Sequence, residues 1–188
     1  MGDHALGCRK HNERIARHDQ LRDVLFEASS SAALAPIKEA PHLLPGSVAR
    51  PGDLLIRRWV DGKDGAIDVT VTGPLAQSNV ASAAAAAGGA LEKAFKRKVE
   101  GAAQACQEQG ISFLPFALET LGGFHKVAVE QTKRIGAALS RHQGIEENIA
   151  IKQLFQRMSL TLMRGNAAMI MSRRPDSDLA QPKVDGIQ

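Results

Sequence analysis

The chain has 188 residues, 44% hydrophobic and 23% charged, enough for one domain with a real core. A formal charge of +4 favours an anionic partner, while 4% aromatic residues and no tyrosine argue against base stacking as the main binding mode. Two cysteines, Cys8 and Cys106, exclude a disulfide framework and fit a reducing intracellular setting; the charged N-terminus argues against a signal peptide, and no apolar run reaches the roughly 18 residues of a membrane span.

Residues 1–11 are polar and rich in His and Cys. From Asn12 to about Ser30, Ile15, Leu21, Val24 and Leu25 recur at near-helical spacing and Phe26 widens the stripe, which predicts a helix ended by Ser29–Ser31. Residues 32–49 carry Pro36, Pro41 and Pro45 and read as a loop with at most a short strand. Between Arg50 and Thr72 two β-type runs flank the turn-rich segment Asp61–Gly65, the pattern of a hairpin. Gly73-Pro74 ends the second run, and a long helical segment is predicted from about Leu75 to Gln109. Its middle, Ala81 to Ala87, is nearly pure alanine; Gly88-Gly89 marks a kink or a break, and Leu91–Lys98 is dense in basic residues. Gly110 closes it as a C-cap. Ile111–Leu118 reads as a third, buried strand with Glu119 at its end. Gly122-Gly123 leads into a helix from about Phe124 to His142, and a last helix from Glu146 to Ser172 places Ile149, Leu154, Met158, Leu162 and Met169 in its buried stripe. Residues 173–188, polar with Pro175 and Pro182, are expected to be a disordered tail. Three or more strands among long helices predict an α/β sandwich around a small mixed sheet.

The chemistry concentrates in the hairpin. Asp53 opens the first run just after Pro51-Gly52, and Asp68 sits inside the second. Aspartate is poorly suited to a strand and expensive to bury without a partner, whereas two of them side by side offer a divalent cation its oxygen ligands. The competing reading has Asp53 capping a turn and Asp68 facing solvent, because alternation sets Asp68, Thr70 and Thr72 opposite Ile67, Val69 and Val71. Glu27 and Glu119 are candidates for a further carboxylate, Glu27 reading better as a surface residue. Lys93, Lys96, Arg97 and Lys98 form either a phosphate-binding run or a solvated helix face. Cys106 reads as a small buried residue, and Trp59 as core rather than a base-stacking platform.

Five segments in order carry a resemblance: Gly2 to Cys8 (GDHALGC), Arg17 to Asp23 (RHDQLRD), Arg50 to Asp53 (RPGD), Asp68 to Thr72 (DVTVT), and Phe113 to Gly123 (FLPFALETLGG). Together they resemble the restriction-endonuclease-like PD-(D/E)XK nucleases, and among those the nuclease domains at the C-terminal end of non-LTR retrotransposon and reverse-transcriptase-like polyproteins. The resemblance implies a restriction-endonuclease-like sandwich, a small mixed sheet flanked by helices with a C-terminal helical pair, over residues 12–172. It implies a DNA endonuclease, nicking its target, with Mg²⁺ or Mn²⁺ held by Asp53, Asp68 and the Val69 carbonyl, and Glu119 as a further ligand. Arg17, His18, Lys93 and Arg97 are then the expected nucleic-acid contacts, His18 being also a candidate metal ligand.

Two departures follow from the same comparison. Thr70 stands where the family usually has its lysine, so the amine is expected from the next helix, Lys98 first and Lys96 second. His4 and Cys8 have the spacing of the last two ligands of a zinc knuckle, with no Cys-x-x-Cys before them; residues 1–11 are thus expected to be a knuckle remnant, taking Zn²⁺ only if completed from outside a chain that is itself a C-terminal fragment. The implied setting is intracellular and nuclear, with DNA and the reverse transcriptase part of a longer polyprotein as partners and no membrane. The rival reading is a catalytically decayed, nucleic-acid-binding or structural remnant of a retroelement, with Thr70 as its mark. An α/β enzyme acting on another phosphorylated substrate finds no Gly-rich phosphate loop to support it.

Overall fold

The computed structural model describes residue 6 and residues 12–44 and 50–173. Helix α1 (Glu13–Ser31) turns Arg17, Leu21, Val24 and Ala28 inward at steps of four, three and four residues. Ile15, expected in this stripe, is out of phase with it and exposed; the inward position of the first turns belongs to Arg17.

The hairpin is tighter than the glycines and aspartates suggest. Strands β2 (Leu54–Val60) and β3 (Lys63–Thr72) are joined by Asp61-Gly62 alone, with φ of +50° and +76°. Positive φ at both central residues is what a two-residue hairpin turn needs, and Asp-Gly supplies it at low cost. Lys63, Asp64 and Gly65, expected in the turn, therefore belong to β3. A short strand β1 (Ile37–Lys38) pairs antiparallel with β2, and ion pairs from Arg22 to Glu39 and from Lys38 to Asp23 tie this edge to α1.

After β3 the expected long helix is two. Helix α2 (Val80–Ala85) is six residues long with none buried, and helix α3 (Gly89–Glu108) begins at the glycine pair. Alanine propensity holds the turns of α2, but methyl groups give it no face to pack, so residues 75–79 do not join it. Helix α3 returns the chain to β4 (Ile111–Glu119), which runs parallel to β3 from Asp64↔Ile111 to Thr72↔Glu119. The sheet is mixed, four-stranded, in the order β1-β2-β3-β4.

Two helices close the described chain, α4 (Lys126–Gln143) and α5 (Glu147–Met171). With α1 they cover one face of the sheet, burying Leu54, Ile56, Ile67, Val69, Phe116 and Leu118 against Leu21, Leu25, Ile135, Leu154, Met158 and Leu162. The other face packs Leu55, Ala66 and Ile111 against Cys106 of α3. Trp59 is part of the packing, its Nε1 donating to Gln131 at 2.6 Å. In α5 the stripe is Ala150, Leu154, Met158, Leu162 and Met169; Ile149, expected in it, is exposed, because Ala150 is the residue in phase. The protein is thus α/β, a four-stranded mixed sheet flanked by helices.

Helices α4 and α5 touch at Gly136, where a Cβ would lie 2.6 Å from Ile151 Cγ1 and 2.9 Å from its Cα. Backbone cannot yield as a side chain does, so Gly136→Ala should lower stability by about 1–3 kcal/mol. Gly101, in mid α3 with open space around it, is the control: Gly101→Ala should raise stability by roughly 0.5–1 kcal/mol. Urea unfolding midpoints of the two variants read both signs.

Candidate active site

The site begins where the sheet loses a strand. The last β2–β3 bridge toward the N-terminus of β2 is Leu54↔Ile67, while β3 continues beside β4 to Thr72. Asp53 is the first residue past that bridge. Gly52 lets the chain lie on β3 there: a Cβ would sit 3.1 Å from the Ala66 Cβ and from the Ile67 carbonyl oxygen. Val69, two residues beyond Ile67, therefore meets side chains where a neighbouring strand would have been. Its N–H donates to Asp53 Oδ2 at 2.6 Å, and its carbonyl oxygen faces His18 Nε2 at 3.1 Å.

His18 comes from α1, one residue after buried Arg17. Its Nε2 is also 3.2 Å from Asp53 Oδ2, and its Nδ1 is 3.3 Å from Asp19 Oδ1. Both ring nitrogens thus face oxygens that can only accept, which the doubly protonated ring satisfies. The His18 pKa is accordingly raised above 6.5, chiefly by the hydrogen bond to Asp53, with burial opposing.

Asp68 reaches the site from the α3 side of β3. Lys98, from the second turn of the basic run in α3, puts its Nζ 2.8 Å from Asp68 Oδ2. That oxygen is buried, and the Lys98 ammonium is the charge set against it. Burial raises the Asp68 pKa above its usual value; the Lys98 ammonium pulls it back without prevailing, and the Asp53 carboxylate pushes it further up. The two aspartates therefore sense each other across the same small space. Beside them opens a cleft of about 270 Å³ lined by Arg14, His18, Val69, Thr70, Arg97 and Lys98.

Asp53, Asp68, the Val69 carbonyl, His18 and Lys98 converge, all singled out by the sequence. Other expected members do not join them. Glu119 pairs with Thr72, four residues beyond Asp68 along β3 and so about 13 Å away, past the reach of a shared ion. Lys96 points out of the site and pairs with Glu92 at 3.6 Å, because two residues along a helix turn the side chain away from Lys98. Lys93, on the same outer side, contacts the Ser78 carbonyl. Arg17, expected to touch nucleic acid, is 2% exposed and donates to Asn166 Oδ1 at 2.6 Å. Burial pushes its pKa down to about 10, and a guanidinium held this way is not available to a phosphate. Glu27 pairs with Arg157 on the surface. His4 and Cys8 lie outside the described residues.

Sequence reasoning missed two things. Arg14, one turn before His18, lines the cleft; its spacing was the available signal. His125 is buried, stacks on Phe95 at 4.2 Å, accepts from the Val127 N–H through Nδ1, and sets Nε2 3.2 Å from Glu92 Oε2. Its place directly before a helix was the sign of a cap; its contact with α3 had none.

Among the described residues no three His, Cys, Asp or Glu side chains are grouped to hold a metal ion. No protein-family profile matches the chain, and no curated protein matches it.

His18 gives a test of the local electrostatics. Its folded pKa lies above 6.5, so its contribution to stability is fully present below pH 6.5 and is lost as pH rises through the raised value. His18→Gln should therefore be less stable than wild type below pH 6.5 and converge on it in alkaline buffer, in melts run across pH with EDTA present. A constant gap would show that the imidazolium contributes nothing.

Proposed function

We propose that this domain is a metal-dependent DNA endonuclease on a restriction-endonuclease-like core. The observation that carries the reading is the Lys98 amine 2.8 Å from Asp68, beside Asp53 and the Val69 carbonyl. A lysine supplied by α3 answers the absence of lysine at position 70, where Thr70 lines the cleft instead.

The donor set fits Mg²⁺ or Mn²⁺. Two carboxylates and a backbone carbonyl are hard oxygen ligands, and Mg²⁺ typically takes one or two carboxylates and keeps several waters, so a third acidic side chain is not required. Asp68 Oδ2, buried and met by the Lys98 ammonium at 2.8 Å, keeps a lone pair that a cation could take. When bound there, the ion supplies Lewis-acid charge at a phosphoryl oxygen and a more acidic water. The protein's own groups do the rest. The Lys98 ammonium faces the cleft and stabilises negative charge developing on the attacked phosphate. Arg14 and Arg97 at the rim attract and orient the backbone. The His18 imidazolium fixes the Asp53 carboxylate against the Val69 peptide, so that one oxygen-rich corner is formed before substrate arrives.

Metal binding is measurable without catalysis. Mg²⁺ should raise the wild-type melting temperature, by about 2.7 kcal/mol in stability at roughly 100 times its Kd, and should do so less in Asp68→Ala.

Catalysis is read on supercoiled plasmid. Wild type should nick it with Mg²⁺ or Mn²⁺ and not with EDTA, Asp68→Ala should be inactive, and Lys98→Ala should lose about 10²–10³-fold in rate. Salt-sensitive DNA binding with no nicking by wild type would replace the nuclease by the decayed, binding-only remnant. Nicking that survives Asp68→Ala would remove the site altogether.

A further inference from the structure

On β3 the side chains of Asp68, Thr70 and Thr72 share the face turned toward α3. Thr70 lines the cleft beside Lys98 and His18, and Thr72 lines a second cleft of about 910 Å³. Arg97 lines both, so the two depressions run on from one another along one side of α3. The larger one lies between the loop that carries α2 and the N-terminal half of α3, with Lys126 at the start of α4 on its far wall.

Its charge balance is basic. Lys93, Lys96, Arg97 and Lys126 stand against Glu92 and Glu100. Glu92 is already engaged by His125 and Lys96, and its pKa is lowered, first of all by the His125 hydrogen bond. Lys93, Lys96 and Lys126 are exposed, and Lys93 and Arg97 are one helical turn apart, about 6 Å along the axis, on the scale of the step between phosphates of an extended strand.

We propose that this groove holds a single strand of nucleic acid to one side of the reacting phosphate, gripping its backbone without reading its bases. The inference rests on the nuclease reading above and extends it from the reacting phosphate to its neighbours. Size is compatible with one strand: the volume is near the upper end of small-ligand pockets, about 300–1,000 Å³, which leaves room for a few linked nucleotides. The aromatic residues support backbone binding. Of the two that line the groove, His125 is buried and stacked on Phe95 at 4.2 Å, and Phe124 packs edge-on against Phe116 and Phe155, so both are engaged within the protein.

The test needs no catalysis. A short fluorescein-labelled single-stranded DNA, and the same sequence as a duplex, are titrated with protein in EDTA over a range of salt, and anisotropy is read. The triple variant Lys93→Ala, Lys96→Ala, Lys126→Ala should bind the single strand at least ~10-fold more weakly, and its log–log salt slope should flatten by about 2, three contacts at roughly 0.7 each. The triple arginine variant should bind like wild type. Lys133→Ala with Lys152→Ala, exposed lysines of α4 and α5, should change nothing.

Unchanged affinity and slope in the alanine triple would overturn the groove, and so would equal losses in the control pair or tighter binding of duplex than of single strand. Metal-dependent nicking by wild type would stand through any of those results. Conversely, a groove effect as described in a protein that never nicks would keep the strand site and remove the nuclease.

Discussion

The corner around Val69 is the constraint from which the rest of the site follows. A strand in mid-sheet must place its N–H and C=O somewhere, and leaving them buried and unpaired costs on the order of 1–3 kcal/mol each. Here β2 leaves β3 after Leu54, and the peptide groups of Val69 are taken up by Asp53 and His18. The same two contacts fix a carboxylate and an imidazole at the edge of the gap. A break in the ladder and the candidate site are therefore one feature, created by the departure of the Pro51-Gly52-Asp53 segment from its partner.

Helix α1 has to be held in register for His18 to reach that corner. The neighbouring Arg17 does this through a buried polar chain: its guanidinium donates to Asn166 of α5, the Asn166 amide donates to the Thr120 carbonyl, and the Thr120 N–H donates to the Thr72 carbonyl at the end of β3. Gly165 makes room for it, since a Cβ there would fall 2.4 Å from Arg17 Cγ. The arginine that looked like a ligand contact is a strut that ties α1 and α5 to the ends of β3 and β4. The packing below it, Leu21 and Leu25 against Ile67 and Val69, fixes the rotation of the helix.

Asp68 carries the opposite kind of energetics. Its carboxylate is ionised at a cost, since burial outweighs the pull of Lys98. Structural ion pairs on a surface contribute little either way, whereas a buried carboxylate with a raised pKa and a single ammonium beside it is the arrangement that accumulates at functional sites. The surrounding fold sustains it: β3 is paired with β2 as far as Ile67 and with β4 from Asp64 to Thr72, Asp68 included.

The sequence by itself determined the helices, the hairpin and the alternation that sets Asp68, Thr70 and Thr72 opposite Ile67, Val69 and Val71, because these follow from local periodicity, glycine and proline. It also marked Asp53 and Asp68 by residue type, and His18 and Lys98 through the resemblance, though none of them by contact. Tertiary structure alone decided which of three lysines faces Asp68, since α3 can present only one side to the sheet and that side carries Lys98. It placed Glu119 a full four residues from the site, because β4 pairs with β3 in parallel register, and it turned Arg17 inward in place of Ile15. Local propensity has no information about helix rotation or strand register; both are set by how the apolar faces of separate elements fit together.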